Sequence, residues 1–257
     1  MGKIQFEINK NIANLTIQSP PANALSSSLL SELEGKLNKI EEEPSVKAVV
    51  IKGDGRFFSA GADIKEFTSM QNSSDSRTFS NKGQELFNRI ENFSIPVIAA
   101  IHGGAFGGGL ELAMACHIRI VTENSKLGLP EITLGIIPGY AGTQRLPRYV
   151  GNAKAYEMML TGEPISGTDA FAFGLANKVV KEEELISEAT KLAEKIVSMS
   201  KPVINQIMHL VNFSKSDLFE KGVQEEAIAF SKVFTNADAR EGVQAFIEKR
   251  KPNFQDK

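Results

Sequence analysis

Five of the seven residues from Gly103 to Gly109 are glycine, and they stand between two apolar runs, 96–101 and 110–116. This arrangement limits what the chain can fold into. A short apolar run before a cluster of breakers reads as a buried strand, and the run after it as a buried helix. The join between them must be tight, because glycine allows unusual backbone angles and close approach of another group. The first N–H groups of the helix then face the turn without intrahelical partners, at the positive end of the helix dipole. Such a place suits a developing negative charge. A tight turn packed against a strand is the blander alternative for the glycines taken alone.

The rest of the chain is organised around similar units. Residues 3–8 and 12–18 alternate apolar and polar about Asn9-Lys10-Asn11, the pattern of a β-hairpin. Helical periodicity follows over 26–42, a short buried strand over 46–52 and a second short strand over 57–60. A polar loop is expected at 70–76, a helix at 77–92, a strand at 96–101, a helix at 109–116 and a strand at 118–121. Strand, strand, helix recurs about three times. From about 182 the strands stop, and helices are expected over 182–200, 203–213, 217–233 and 238–250. This divides the chain into an α/β (α+β) core, residues 1–195, and a helical region, residues 196–257. No G-x-G-x-x-G follows the first strand, so the pattern is not a dinucleotide fold.

Composition removes several function classes. The 257 residues are 42% hydrophobic and 23% charged, with a net charge of −2, so nothing favours long-range attraction to nucleic acid or an anionic membrane. Cys116 is the only cysteine, which excludes an intramolecular disulfide. His102, His117 and His209 show no metal-ligand spacing. No metal or redox cofactor is expected. The N-terminus lacks an apolar run, Phe6 stands where a myristoylation signal wants Ser or Thr, and no stretch is long enough to span a membrane. A cytoplasmic location is expected.

Two carboxylates stand out. Glu111 falls in the first turn of the helix after the glycines, among Leu110, Leu112, Ala113 and Met114. A first-turn Glu often does no more than stabilise the dipole, but this helix is apolar on nearly every face, so burial is expected. Burial raises a carboxyl pKa and eases proton exchange near neutrality. Glu131 occupies a second apolar, Pro/Gly-punctuated run, GLPEITLGIIPG at 128–139; alone it reads as an ordinary ion-pair partner at a loop. Together the pair suggests general acid/base catalysis. A third segment, FFSAGADIK at 57–65, exposes backbone between small residues and places Asp63 to cap a helix; on physical grounds alone it is a tight connection.

In sequence order, PANAL (21–25), FSAGADI (58–64), PVIAA (96–100), GGGLELA (107–113), PEI (130–132), GIIPG (135–139), GTQRL (142–146), LTGE (160–163) and FIEKRK (246–251) resemble the crotonase family, the enoyl-CoA hydratase/isomerase superfamily, and are closest to its hydratases. The resemblance implies a spiral of β-β-α units with a C-terminal helical trimerisation region, assembled as a trimer or dimer of trimers. It implies an oxyanion hole from the backbone N–H groups of Ala62 and Gly108. It also implies substrate and coenzyme A contacts at Ala24, Ala60, Asp63, Ile64, Gly104, Phe106, Pro130, Ile136, Pro138 and Gly139, with the adenine against the backbone of 60–64. Hydratases of the family carry both glutamates. Glu111 is expected to activate water and Glu131 to protonate C2, the reverse order staying open because a coupled pair shares its protons. The implied reaction is hydration of 2-trans-enoyl-CoA in fatty-acid β-oxidation or a related acyl-CoA pathway, the acyl-CoA being the only small-molecule partner.

The sequence also departs from the family pattern. His117 stands where many members have Asp and is expected to be structural. Tyr140 replaces a small residue and is expected to narrow the acyl pocket. The SPPANAL segment lacks a basic residue, which leaves Lys249 or Lys251 as partners for the coenzyme A phosphates. An isomerase, needing only one proton-shuttling carboxylate, is the nearest alternative; a non-catalytic or RNA-binding relative would need a Lys/Arg-rich face, and charges are mixed along every helix.

Overall fold

A computed structural model describes residues 2–68, 73–215 and 218–256. β1 (Lys3–Asn9) and β2 (Ile12–Gln18) form the expected hairpin. Lys10 and Asn11, both at positive φ, make the two-residue turn that suits the twist of the flanking strands. α1 (Ser27–Glu41) begins at Ser26, whose Oγ accepts the Leu29 N–H at 3.2 Å, and buries Leu29, Leu30, Leu33, Leu37 and Ile40. β3 (Ala48–Gly53), α2 (Ile64–Phe67), α3 (Ser73–Glu91), β4 (Val97–Ile101), β5 (Gly104–Phe106) and α4 (Gly108–Ala115) follow. Next come β6 (Ile118–Thr122), β7 (Lys126–Gly128), a 3₁₀ turn (Glu131–Leu134), α5 (Gly142–Thr161), β8 (Ile165–Ser166), α6 (Gly167–Ala172) and β9 (Lys178–Val180). The chain then continues as α7 (Leu185–Val197), α8 (Lys201–Val211), α9 (Phe219–Phe234) and α10 (Ala237–Ile247), with no strand among the described residues beyond β9.

The strands fall into two sheets. One has the order β1-β2-β3-β4-β6-β9, parallel except for the hairpin; the other has the order β5-β7-β8. Successive units each send one strand to each sheet. β4 joins the first and β5 the second before α4; β6 and β7 do the same before α5. The unit after β3 contributes only a bridge, Ser59 to Ala105, where the sequence suggested a short strand over 57–60. This is the expected spiral of β-β-α units. The central strands read as continuous apolar runs because both faces of the large sheet are covered. Val49, Ile51, Ala99, Ile101 and Val121 join the main core with α1, α3, α4 and α5, while the alternate residues Ala48, Val50, Ile98, Ala100 and Ile120 face α7. α7 presents Leu185, Ala189 and Ala193 at four-residue spacing, two of them small enough for close approach. It runs to Val197, so the 195/196 division falls in its last turn.

The 70–76 segment corrects one expectation. Residues 69–72 lie outside the described residues, but 73–76 are the first turn of α3 rather than loop. Residues 74–76 are exposed, and Asp75 stands where a carboxylate offsets the dipole. Likewise residues 216–217, expected near the start of a helix, lie outside the described residues, and α9 is described from Phe219. His117 is structural: its Nδ1 accepts the Val97 N–H at 2.9 Å and burial lowers its pKa to about 4, which keeps the ring neutral. Among the described residues no helix is long and apolar enough to cross a membrane.

Candidate active site

Glu111 lies one turn into α4, a helix buried along its whole length, and is itself only 1% exposed. Its Oε1 accepts the Tyr140 N–H at 2.8 Å and the Gly142 N–H at 2.7 Å. Gly142 is the first residue of α5, so the carboxylate also meets the positive end of that helix. Burial is the largest influence on its pKa and the nearby Glu131 carboxylate the second; both raise it. The two N–H groups and the Arg145 guanidinium pull it back, and the balance is a carboxyl pushed up to about 7.

The segment that holds Glu111 is itself held. Ser80 Oγ and Gln84 Nε2, both from α3, donate to the Gly139 carbonyl at 2.5 and 3.0 Å. Arg145 Nη1 donates to the Tyr140 carbonyl at 2.8 Å, while its Nε and Nη2 reach Glu91 and Asn88 of α3. Residues 139–142 are thereby fixed between α3 and α4.

Glu131 opens the 3₁₀ turn after β7. Burial raises its pKa as well, and its Oε2 is buried with no hydrogen-bond partner among the described residues. The carboxylate rests against Gly107, where a Cβ would stand 2.9 Å from Oε1; Gly107 also has φ 49, a conformation that disfavours a side chain. Both glutamates line one cavity of about 980 Å³, whose walls include Phe67, Phe79, Ile136 and Tyr140.

Two main-chain amides stand at the same wall. Gly108 is the first residue of α4, where the helix offers its N–H no acceptor. A Cβ on Gly108 would lie 3.3 Å from the Ala62 nitrogen. Around Ala62, Leu25 N–H donates to the Gly61 carbonyl and Asp63 N–H to the Leu25 carbonyl, so the bridge to Leu25 uses the flanking groups and leaves the Ala62 N–H on the opposite side. Gly61 allows this close passage: at φ 102, a Cβ there would strike the Phe106 carbonyl at 2.8 Å. A buried carboxylate, Glu111, a half-buried one, Glu131, and a pair of adjacent amide donors therefore meet in one largely apolar cavity.

A family model described as Enoyl-CoA hydratase/isomerase matches residues 7–257. The chain belongs to the enoyl-CoA hydratase/isomerase family. A Bacillus subtilis (strain 168) protein named probable enoyl-CoA hydratase is 52% identical over 255 residues, 99% of each chain. The crotonyl-CoA hydratase of Syntrophomonas wolfei is 42% identical, covering 98% of this chain and 97% of that one. The crystal structure of an enoyl-CoA hydratase from Bacillus anthracis matches with a TM-score of 0.93 at 38% identity, over 99% of this chain and 100% of that one.

Of the residues carried over from the family motifs, Glu111, Glu131, Ala60, Ala62, Ile64, Gly108, Pro130, Ile136, Pro138 and Gly139 all line the cavity. Four stand outside its lining. Gly104 and Phe106 belong to β5, where Ser59 N–H donates to the Gly104 carbonyl and Phe106 N–H to the Ser59 carbonyl. Asp63 caps α2 through the Lys65 N–H. Ala24 precedes Leu25, the residue bridged to Ala62. The family motifs did not point to α3, which supplies Phe79, Ser80 and Gln84 to the cavity. One signal was present: Gly83 interrupts a helical pattern between Phe79 and Phe87, and a glycine inside a helix usually has a packing reason.

Proposed function

We propose that this chain hydrates 2-trans-enoyl-CoA thioesters to 3-hydroxyacyl-CoA, as a cytoplasmic enzyme of fatty-acid β-oxidation or a related acyl-CoA pathway. The observation that carries the reading is the convergence of Glu111, Glu131 and the Ala62 and Gly108 amides on one cavity. The relatives named as hydratases support it. The thioester carbonyl would accept both N–H groups, which stabilises enolate character while the conjugated double bond is attacked; removing one such donor typically costs roughly 10²–10³ in rate. A water between the carboxylates would lose a proton to Glu111 as its oxygen bonds to C3. Glu131 would deliver a proton to C2, so that the elements of one water are added and neither carbon needs an external oxidant. A raised pKa on both groups suits this exchange near neutrality. Every group used is a side chain or main-chain donor of this chain, and no metal or redox cofactor is invoked.

The test is hydration of crotonyl-CoA by the parent and by Glu111→Gln and Glu131→Gln, which keep size but remove proton transfer. Each variant should lose at least about a hundredfold in kcat. The double variant should be little worse than the worse single, because the pair acts as a unit. Glu111→Gln turning over near the parent rate would defeat the two-carboxylate mechanism. One silent and one inactive variant would point instead to a double-bond shift.

A further inference from the structure

We propose that the Tyr140 ring, seated on Gly83 of α3, is the end wall of the acyl cavity and limits this enzyme to short acyl chains. The proposal rests on reading that cavity as a 2-enoyl thioester site. The main chain of Tyr140 is tied at both polar groups, the N–H to Glu111 and the C=O to Arg145. The ring therefore stands at a fixed place relative to the reacting carbons. It packs edge-on to Phe87, with centroids 5.3 Å apart, and tilted on Phe79 at 5.5 Å. A Cβ on Gly83 would lie 2.2 Å from ring Cδ1 and Cε1, so the ring takes the space that a side chain there would fill.

Behind the ring lies a second cavity, of about 500 Å³, between α1 and α3. Its inner lining includes Leu30 and Leu86, with Glu34, Lys82 and Arg89 also in its wall. Among the described residues, Tyr140 and Phe79 alone line both cavities. Of the other large apolar side chains of the first cavity, Ile64, Leu134, Ile136 and Ile137 are exposed and mark its open side, while Phe67 is half-buried and packs edge-on against Phe79 at the aromatic end. A hydrocarbon tail therefore runs toward the aromatic end and meets the ring. The Tyr140 hydroxyl is buried and makes no hydrogen bond among the described residues, so ring volume rather than a polar contact is what the wall supplies.

The experiment compares kcat/KM for crotonyl-CoA and 2-decenoyl-CoA in the parent, Tyr140→Ala and Tyr140→Phe, with butyryl-CoA and decanoyl-CoA binding measured alongside. The parent should favour the short thioester by about tenfold or more, since an apolar wall discriminates by roughly tenfold or more for each group it cannot accept. Tyr140→Ala should move the long-to-short ratio at least about tenfold toward the long thioester, in turnover and in binding. Tyr140→Phe should leave the ratio within about twofold. An unchanged ratio in folded Tyr140→Ala, or an equal change in Tyr140→Phe, would overturn the wall. Phe79→Ala opens the same partition and replaces Tyr140→Ala if that variant does not fold. A parent that hydrates neither thioester sinks the hydratase reading, and this proposal with it. A parent active on crotonyl-CoA with no shift in either opened variant sinks the wall alone.

Discussion

Glu111 illustrates how one residue links chemistry to stability. In the unfolded chain its carboxyl titrates near 4.5; in the folded protein, near 7. Below pH 4.5 both states hold the proton. Between the two values the unfolded state releases it while the folded state keeps it, so stability falls as pH rises, by a total on the order of 3 kcal/mol above pH 7. Glu111→Gln cannot titrate and should lack this fall. Thermal midpoints at pH 5 and pH 8 should therefore converge on, or cross, those of the parent as pH rises. Parallel pH dependence in the two proteins would show that Glu111 ionises freely when folded. Gly107 gives a second test. Gly107→Ala forces a side chain into a φ 49 conformation and against Glu131 Oε1, and should destabilise by roughly 1–3 kcal/mol and lower kcat more than it raises KM. A folded variant with parental kinetics would show that Glu131 has room to move.

At the level of elements, α3 and α5 are joined by charge. Glu91 at the end of α3 pairs with Arg145 at 2.9 Å, and Arg148 and Lys215 pair with the same carboxylate. Arg145 is almost fully buried. Arg145→Leu leaves Glu91 without its most buried partner and should destabilise by about 3 kcal/mol. It also frees the Tyr140 carbonyl, so kcat should fall and the apparent pKa of Glu111 should rise, read from the acidic limb of the pH–rate profile. A profile that does not move would confine Arg145 to stability. Which elements the sequence discloses follows from the strength of their patterns. The hairpin, α1, α4 and the central strands were legible because each carries a long apolar period or a cluster of breakers. β5 was not, because its three residues lie among the glycines and pair through main chain alone. α5 was not singled out either, since Pro147 and Gly151, the latter non-helical, interrupt its sequence. The glutamates were legible as charges in apolar runs. The support that α3 gives them was not, because Ser80 and Gln84 act on a carbonyl more than fifty residues away.

For the molecule as a whole, the large apolar side chains of the C-terminal helices divide. Ile207, Phe230, Phe234 and Phe246 are exposed, Phe246 at 86%, while Val203 and Leu210 are half-buried. Exposed apolar side chains in this number are expected to be covered by further copies of the chain. Sedimentation at micromolar concentration should find a trimer or hexamer; a stable, active monomer would contradict this. Chelator treatment should leave hydration unaffected, and a loss reversed by added metal would contradict the cofactor-independent mechanism. The pairing of the Ala62 and Gly108 amides has a consequence for how such a protein changes over generations. A main-chain donor is rewritten by almost no codon: any replacement except proline still carries it. Phe79, Tyr140 and Ile136, by contrast, each lie one mutation away from a different shape. On the proposed function, descent can therefore alter which thioester is welcomed while the means of handling its charge is inherited intact.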